Sequence, residues 1–337
     1  MYKAFAGFCL GGFAFLLACE CLFRLLPVST TTATGYYIDP DILSYPPHHA
    51  WRRASGWDLR NARKLTSNNF GFVADHDFTH NPKAVGLVGD SYVEAAMLQA
   101  ADRPAAQLER LLDGPPVFAL GVPGTSLLDY AERIRFASQH FGVRRFVVLM
   151  EAGDVRQSLC GSGQNDGPCL DPHTFAARQV HWAEPSRAKL WMRHSALAQY
   201  VFSQLEFDPL RALRQWRSPS DIKGVATRTP AGPALPMVEA VTSAFFERVA
   251  PYVQGGLVIV VDGRRAGPPD VPTATELERH RFIELARAAG ARVLDAELLY
   301  ASHAAASRLS LDVGPHDQHL NPLGVKLVMA AAAGALQ

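Results

Sequence analysis

Cysteine is scarce in this 337-residue chain: there are five, and three of them (Cys9, Cys19 and Cys21) fall in one apolar run near the N-terminus. No His or Cys pair stands beside the other two at zinc spacing, so no metal site is expected. An excess of charge of either sign is also missing. Lys and Arg number 33 against 32 Asp and Glu, a formal net charge of +1. That leaves no electrostatic footprint for nucleic acid. No block of like charges suggests a solvated tail, and there is no internal repeat. Pro (23) and Gly (26) are too few for a low-complexity chain. What is present is a core-forming composition, 48% hydrophobic and 19% charged, which excludes disorder as the main state. The length is a soft prior for about two domains at ~150 residues each.

The longest apolar run opens the chain. Ala4 to Cys19 carries no charge. Extended to Leu26, the run would be about 34 Å long as a helix at ~1.5 Å per residue, enough to cross a hydrocarbon core of ~30 Å. Glu20 and Arg24 lie four apart on one face near its distal end, where they can pair or snorkel. Lys3 precedes the run, which orients the N-terminus to the cytoplasm and exports the residues on the far side of the run. The expectation is a single-pass anchor over residues 1–28 in the cytoplasmic membrane, with a periplasmic domain beyond it. Three alternatives stand beside it. A cleaved signal peptide lacks a nearby A-x-A-like site. A lipoprotein would use Leu16-Leu17-Ala18-Cys19, but the residues after Cys19 are still apolar. A buried core helix is the third. Cys160 and Cys169 flank a Gly/Asn/Asp/Pro-rich loop, and in an oxidising compartment they read as a disulfide. Two unpaired thiols in a flexible loop are the other reading.

Residues 29–67, rich in Thr, Pro, Tyr and Trp, read as a stalk or as extended packing on a domain surface. From there strand and helix signals alternate. Short apolar strands are expected at 84–88, 116–120, 145–150, 256–261 and 291–294. Helices are expected at 104–112, from Ser126 onward, and at 238–253, 276–289 and 322–336. A polar, Arg-rich and Pro-rich stretch at about 155–235 breaks the rhythm and reads as an insertion. Alternation of this kind predicts an α/β fold with a parallel sheet of about five strands, covered on both faces. In such folds chemistry sits at the carboxyl ends of the strands.

The first of those ends reads Gly89-Asp90-Ser91, which places a hydroxyl at the sheet edge. The loop before the last helix reads Asp317-Gln318-His319-Leu320-Asn321, with Gly324 three residues on. A serine nucleophile needs a base, and the base needs an orienting carboxylate. His319 and Asp317 supply both from one loop. Taken singly each segment is a common turn; together they are far more specific.

These blocks resemble the SGNH, or GDSL-like, hydrolases, over roughly residues 68–336. The lead-in Asn68-Asn69-Phe70-Gly71-Phe72 is similar to that of exported, membrane-anchored members. Ala119-Leu120-Gly121-Val122-Pro123-Gly124 matches the second block, with Ala119 in place of its Asn. The resemblance implies a flavodoxin-like three-layer sandwich over 68–337. It implies Ser91 as nucleophile, His319 as base and Asp317 as its partner, with the Ser91 and Gly124 N–H groups in the oxyanion hole. No cofactor is implied. The third block departs from the pattern: in Glu151-Ala152-Gly153-Asp154, Gly153 stands where the family carries an oxyanion Asn.

The function expected is a serine esterase acting through an acyl-enzyme on an acylated sugar or polysaccharide of the cell envelope. The acceptor is water, for a deacetylase, or a sugar hydroxyl, for an O-acyltransferase. The alternative is a non-catalytic binding or assembly component of an envelope polysaccharide pathway, which the loss at Gly153 favours. His48-His49 and Arg52-Arg53, in a Pro-rich segment, are read as solvated in preference to binding an anion. Trp51 and Trp57 are read as packing of the stalk in preference to stacking on a sugar. His140, His303 and His316 have no metal-spaced partners and receive no role.

Overall fold

The computed structural model describes residues 2–30, 33–162, 167–180, 187–205, 234–265, 272–314 and 317–337. Most of the Arg- and Pro-rich part of the expected insertion lies outside them, as does His316. The chain divides into two compact units: Met1–Ala33 with Ala50–Leu65 and Ala183–Arg228, and Thr34–His49 with Thr66–Trp182 and Thr229–Gln337.

The larger unit is built on five parallel strands: β5 (Val85–Gly89), β6 (Val117–Gly121), β7 (Arg145–Met150), β10 (Leu257–Val261) and β11 (Arg292–Asp295). Their spatial order is β11-β10-β7-β5-β6. Numbered along the chain this is 2-1-3-4-5, the flavodoxin-like winding, with its switch point between β5 and β7. The strands read as apolar runs because both faces are covered. Val85, Leu87, Val88, Val147, Val148, Ile259 and Val260 are all fully buried. Each such side chain contributes about 1.5–3 kcal/mol through removal from water.

Two hydrophobic clusters flank the sheet. One holds Ile134, Phe136 and Phe141 of α4 (Leu127–Phe141), with Phe245 of α8 (Leu235–Val249) and Phe282 of α9 (Ala274–Ala288). The other joins Leu108 of α3 (Pro104–Leu112) to Val325, Val328 and Met329 of α11 (Pro322–Leu336). The result is the three-layer sandwich expected. Local signals fix the helix starts. Ser126 and Asp129 form a capping box on α4, as do Thr273 and Glu276 on α9. Pro104 and Pro322 stand in the first helical turn, where a missing N–H costs nothing.

Some elements were not expected. Helix α10 (Ala296–Ala306) buries only Ala296 and Tyr300, so it shows no apolar stripe to read. The hairpin β12 (Asp312–Gly314) and β13 (Asp317–Leu320) is too short and polar for a strand pattern. A second small hairpin, β8 (Pro168–Leu170) with β9 (Ala177–Gln179), adjoins the Cys160–Cys169 disulfide, whose Cα atoms are 5.0 Å apart. Residues 29–67 hold two more. Strands β1 (Gly35–Asp39) and β2 (Ile42–Ser44) pair in the larger unit, and β3 (Ala50–Ser55) and β4 (Arg60–Thr66) belong chiefly to the smaller one.

The smaller unit also contains the short helices α6 (Arg187–Met192) and α7 (Ala196–Ala198). Its longest element is α1 (Tyr2–Leu25), of which Ala4–Leu25 is long and apolar enough to cross a membrane and has none of that stretch buried. Trp51 packs inside this unit at 7% exposure, whereas Trp57 is 74% exposed and does not pack as expected.

Candidate active site

The site lies at the carboxyl ends of β5, β6 and β7, across the switch point. Gly89 closes β5, and a side chain there would collide with the Leu149 carbonyl of β7. Glycine is therefore what lets the two strands run together up to the site. Asp90 comes next as the N-cap of the short helix α2 (Ser91–Glu94), its Oδ1 accepting from Tyr92 N at 2.8 Å. Ser91 is thus the first residue of a helix leaving a sheet edge, and its hydroxyl is held at the surface.

His319 comes from β13. Its Nε2 is 2.8 Å from Ser91 Oγ, and its Nδ1 is 2.6 Å from Asp317 Oδ1. Asp317 Oδ1 also accepts from the His319 backbone N at 3.1 Å. With the Nδ1 proton donated to Asp317, Nε2 is left to accept from the Ser91 hydroxyl. The Tyr92 ring lies against the imidazole at 4.8 Å between centroids. So Ser91, Asp317 and His319, 228 positions apart at the extremes, meet in one hydrogen-bonded series, the arrangement that a nucleophile, its base and an orienting carboxylate would need.

The hairpin bearing Asp317 and His319 is tied down from outside. Arg265 donates to Asp262 at 2.9 Å, to Asp312 at 3.1 Å and to the Gln318 carbonyl at 3.1 Å. Its guanidinium also lies 4.5 Å over the Tyr300 ring. The Asn321 side chain reaches both ways. Its Nδ2 donates to the Ser310 carbonyl at 2.7 Å, and its Oδ1 caps α11 at Leu323 N and Gly324 N.

On the opposite side, Gly124 sits in the turn between β6 and α4 with φ +72°, a left-handed conformation that disfavours other residues. Beneath it the buried Arg133 donates from one nitrogen to the Gly89 carbonyl at 2.8 Å and to Thr125 Oγ1 at 3.1 Å. It thereby joins the end of β5 to the Gly124 turn.

Gly153 caps α5 (Asp154–Gln157) with φ −72° and ψ −23°. This is ordinary right-handed backbone, so the chain does not need glycine there for its conformation. The space is used instead. The Gln157 amide Nε2 lies 3.0 Å from where a Cβ on residue 153 would stand, and Glu151 Oε1 lies 3.6 Å from the same point. Side chains on a helix lean toward its N-terminus over the residue one turn back. Gln157 has therefore folded into the gap that Gly153 leaves.

Carboxylate oxygens of Asp90, Glu151 and Asp154 gather within 4.8 Å of one another. Burial raises all three above the ordinary carboxylate range, and for Glu151 and Asp154 the nearby Asp90 adds to it. The crowding is relieved by holding protons. Asp154 Oδ2 accepts from Tyr130 Oη and from Glu151 N, both at 2.9 Å.

Sequence reading passes over Gln157, Arg265, Tyr92 and Arg133. Gln157 alone carries a signal: it stands four residues after the substituted glycine, on the same helical face.

No family model matches the chain, and no curated protein does. Solved structures with a similar trace include a lipolytic G-D-S-L family protein from Veillonella parvula, at 11% identity and a TM-score of 0.41 over 75% of this chain and 96% of that one. A catalytic mutant of an acetylxylan esterase from Geobacillus stearothermophilus gives 12% and 0.42, over 76% and 95%. A lipase/acylhydrolase from Enterococcus faecalis gives 11% and 0.40, over 75% and 95%. The Ser91–His319–Asp317 geometry, and not these likenesses, carries the functional reading. In its sequence blocks and in the winding of its sheet, the chain is similar to the SGNH, or GDSL-like, hydrolases.

Proposed function

We propose that this chain is an SGNH-type serine esterase, membrane-anchored and exported, acting on an acylated sugar or polysaccharide of the cell envelope. The observation that carries the reading is the hydrogen-bonded series from Ser91 Oγ through His319 to Asp317, at 2.8 and 2.6 Å. Ser91 Oγ attacks the ester carbonyl while its proton passes to His319 Nε2. The tetrahedral intermediate collapses, the C–O bond to the alcohol breaks, and His319 returns the proton to that alcohol. Asp317 holds the imidazole in the required tautomer and stabilises it when charged. Water, or a sugar hydroxyl in an O-acyltransferase, then takes the acyl group by the same route in reverse.

The oxyanion needs donors. Backbone N–H groups of Ser91 and Gly124 supply two, and the Gln157 amide supplies the side-chain donor that Gly153 cannot. The position of that amide in the Gly153 gap supports this assignment. Among the described residues the Gln157 amide has no other partner. The anchored, exported address is supported by the apolar length of α1, by Lys3 just before its apolar stretch Ala4–Leu25, and by the disulfide, which fits an oxidising compartment.

The loss of the family Asn at Gly153 favours a second reading, a binding component of an envelope polysaccharide pathway that uses the same cleft without turnover. A fluorophosphonate probe applied to the full chain separates the two. Labelling at Ser91, lost in Ser91→Ala, supports the esterase. An intact, folded chain that takes up no probe supports the binding component.

A further inference from the structure

The smaller unit has a chemistry of its own. Near the distal end of α1, Glu20 accepts hydrogen bonds from Ser195 Oγ at 2.8 Å, Ala196 N at 3.1 Å and Leu197 N at 3.0 Å. Arg24 donates to Glu20 at 2.7 Å and to the His194 carbonyl at 3.1 Å. The Phe23 ring stacks on Tyr200 at 4.3 Å. These contacts set residues 194–200 level with the last two turns of α1. If Ala4–Leu25 crosses the bilayer, those turns lie where acyl chains give way to headgroups.

At the same level there is a groove of about 300 Å³. Phe23, Leu26 and Trp51 form its apolar lining, and Arg24, Arg52 and Lys64 its charged one. Arg24 is engaged as described. Arg52 and Lys64 are exposed, and among the described residues neither side chain has a hydrogen bond or an ion pair. Among the described side chains of this unit nothing offsets them. The side chains described in this unit include eight Lys or Arg against two Asp or Glu. Both acids are already paired, Glu20 with Arg24 and Asp58 with Arg60. Unpaired like charges beside an apolar wall, at headgroup depth, match an amphiphile with an anionic head.

We propose that this groove binds the phosphate headgroup of an anionic membrane lipid. Arg52 and Lys64 meet the phosphate, and the acyl chain runs along Phe23 and the exposed face of α1. The lipid would hold the smaller unit in one orientation at the membrane surface. The proposal rests on the anchored reading of α1 and is independent of the esterase chemistry.

The test uses the full chain in non-ionic detergent, given equal amounts of phosphatidylglycerol and phosphatidylcholine with the same acyl chains. Native mass spectrometry should retain phosphatidylglycerol in preference by roughly thirtyfold, the scale that two basic residues near a membrane surface produce. Arg52→Gln with Lys64→Gln should bring the two lipids to parity. Arg52→Lys should keep the preference, and so should Arg60→Gln, whose partner is Asp58. A thermal melt confirms that each variant is folded. Equal retention of the two lipids by the wild type overturns the proposal. So does an unchanged preference in a folded double variant. Complete displacement of the lipid by equimolar glycerol 3-phosphate assigns the groove to a soluble phosphate and overturns the lipid claim. Flotation with neutral phosphatidylcholine vesicles reads the anchor alone. A chain that fails to float defeats the anchor, whereas one that floats but shows no lipid preference defeats only the groove.

Discussion

The two flanks of the candidate site are held by different means. On the base side, Asp317 and His319 are two residues apart on one short strand, and the bond between them is almost local. Arg265 and Asn321 then fix that strand to the rest of the unit. On the side of Gly124 and Gly153 nothing is local. The Gly124 turn, the start of α2 and the cap of α5 come from three different strand ends, joined below by Arg133. The flank that depends on two neighbours in sequence keeps both residues. The flank assembled from separate segments carries Gly153 where the resembling family has Asn, and the Gln157 amide from the next helical turn lies in that space. A donor need only reach the right point in space, so a residue from another position can replace it. The nucleophile and base must also carry specific proton-transfer chemistry, which few side chains supply.

The largest effect should come from the base side. Ser91→Ala should abolish turnover of p-nitrophenyl acetate, and His319→Ala should cost nearly as much, on the order of 10⁴-fold or more, because these residues act as a unit. A His319→Ala protein that keeps even a tenth of wild-type kcat/KM would remove the imidazole from the mechanism.

The next largest effect should be at Gln157. Losing one oxyanion donor costs on the order of 10²–10³ in kcat, roughly 3–4 kcal/mol, so Gln157→Ala should fall in that range with little change in KM. Gly153→Asn, which places a Cβ 3.0 Å from the Gln157 amide, should be neutral or harmful in the wild type. In the Gln157→Ala background it should restore much of the rate. If Gln157→Ala leaves kcat untouched, the replacement did not occur.

Asp129, which caps α4 just beyond the Gly124 turn, sharpens the comparison through stability. Burial pushes its carboxyl up to about 6, against the pull of Arg133 and Ser126. A carboxyl raised in the folded state gives stability that is complete below the unfolded value near 3.8 and is lost as pH rises through about 6. Asp129→Asn keeps an oxygen for the Ser126 N–H and removes the titration. Relative to the wild type it should therefore gain roughly 2–3 kcal/mol between pH 4 and pH 7. Thermal melts of both proteins at the two pH values that show a constant gap would contradict this sign.

The smallest effect should come from Arg265→Gln. Arg265 holds the hairpin without touching a reacting atom, so it is a positioning residue. Its loss should lower kcat by roughly tenfold, about 1.4 kcal/mol, through looser placement of His319. Arg265→Lys should rescue only part, since one ammonium cannot reproduce the planar fork on Asp262 and Asp312. A change in KM alone would mean that Arg265 meets substrate.

Much of the fold was legible because four of its five strands, β5, β6, β7 and β10, are almost wholly buried and read as apolar runs, each ending at a Gly, Asp or Glu, whereas the edge strand β11 is only partly buried. Capping boxes such as Ser126–Asp129 and Thr273–Glu276 marked helix starts for the same reason: they are chemistry between near neighbours. Helix α10 and the β12–β13 hairpin were missed because burial there is slight and no periodicity results. The triad candidates were legible as short local blocks. Arg265 was not, since it lies about fifty residues from the loop that it holds.

The sequence alone determined the alternation of strand and helix, the apolar length of α1, and the pairing of Asp317 with His319, because each depends on residues within a few positions. Only the tertiary structure brought His319 within 2.8 Å of Ser91. That contact needs the 2-1-3-4-5 winding and a hairpin anchored from elsewhere in the chain. Tertiary structure likewise turned Gly153 from an apparent loss into a space that Gln157 occupies. Sequence shows which side chain is missing at a position. What fills the volume depends on the next helix along the chain and on which way its side chains lean.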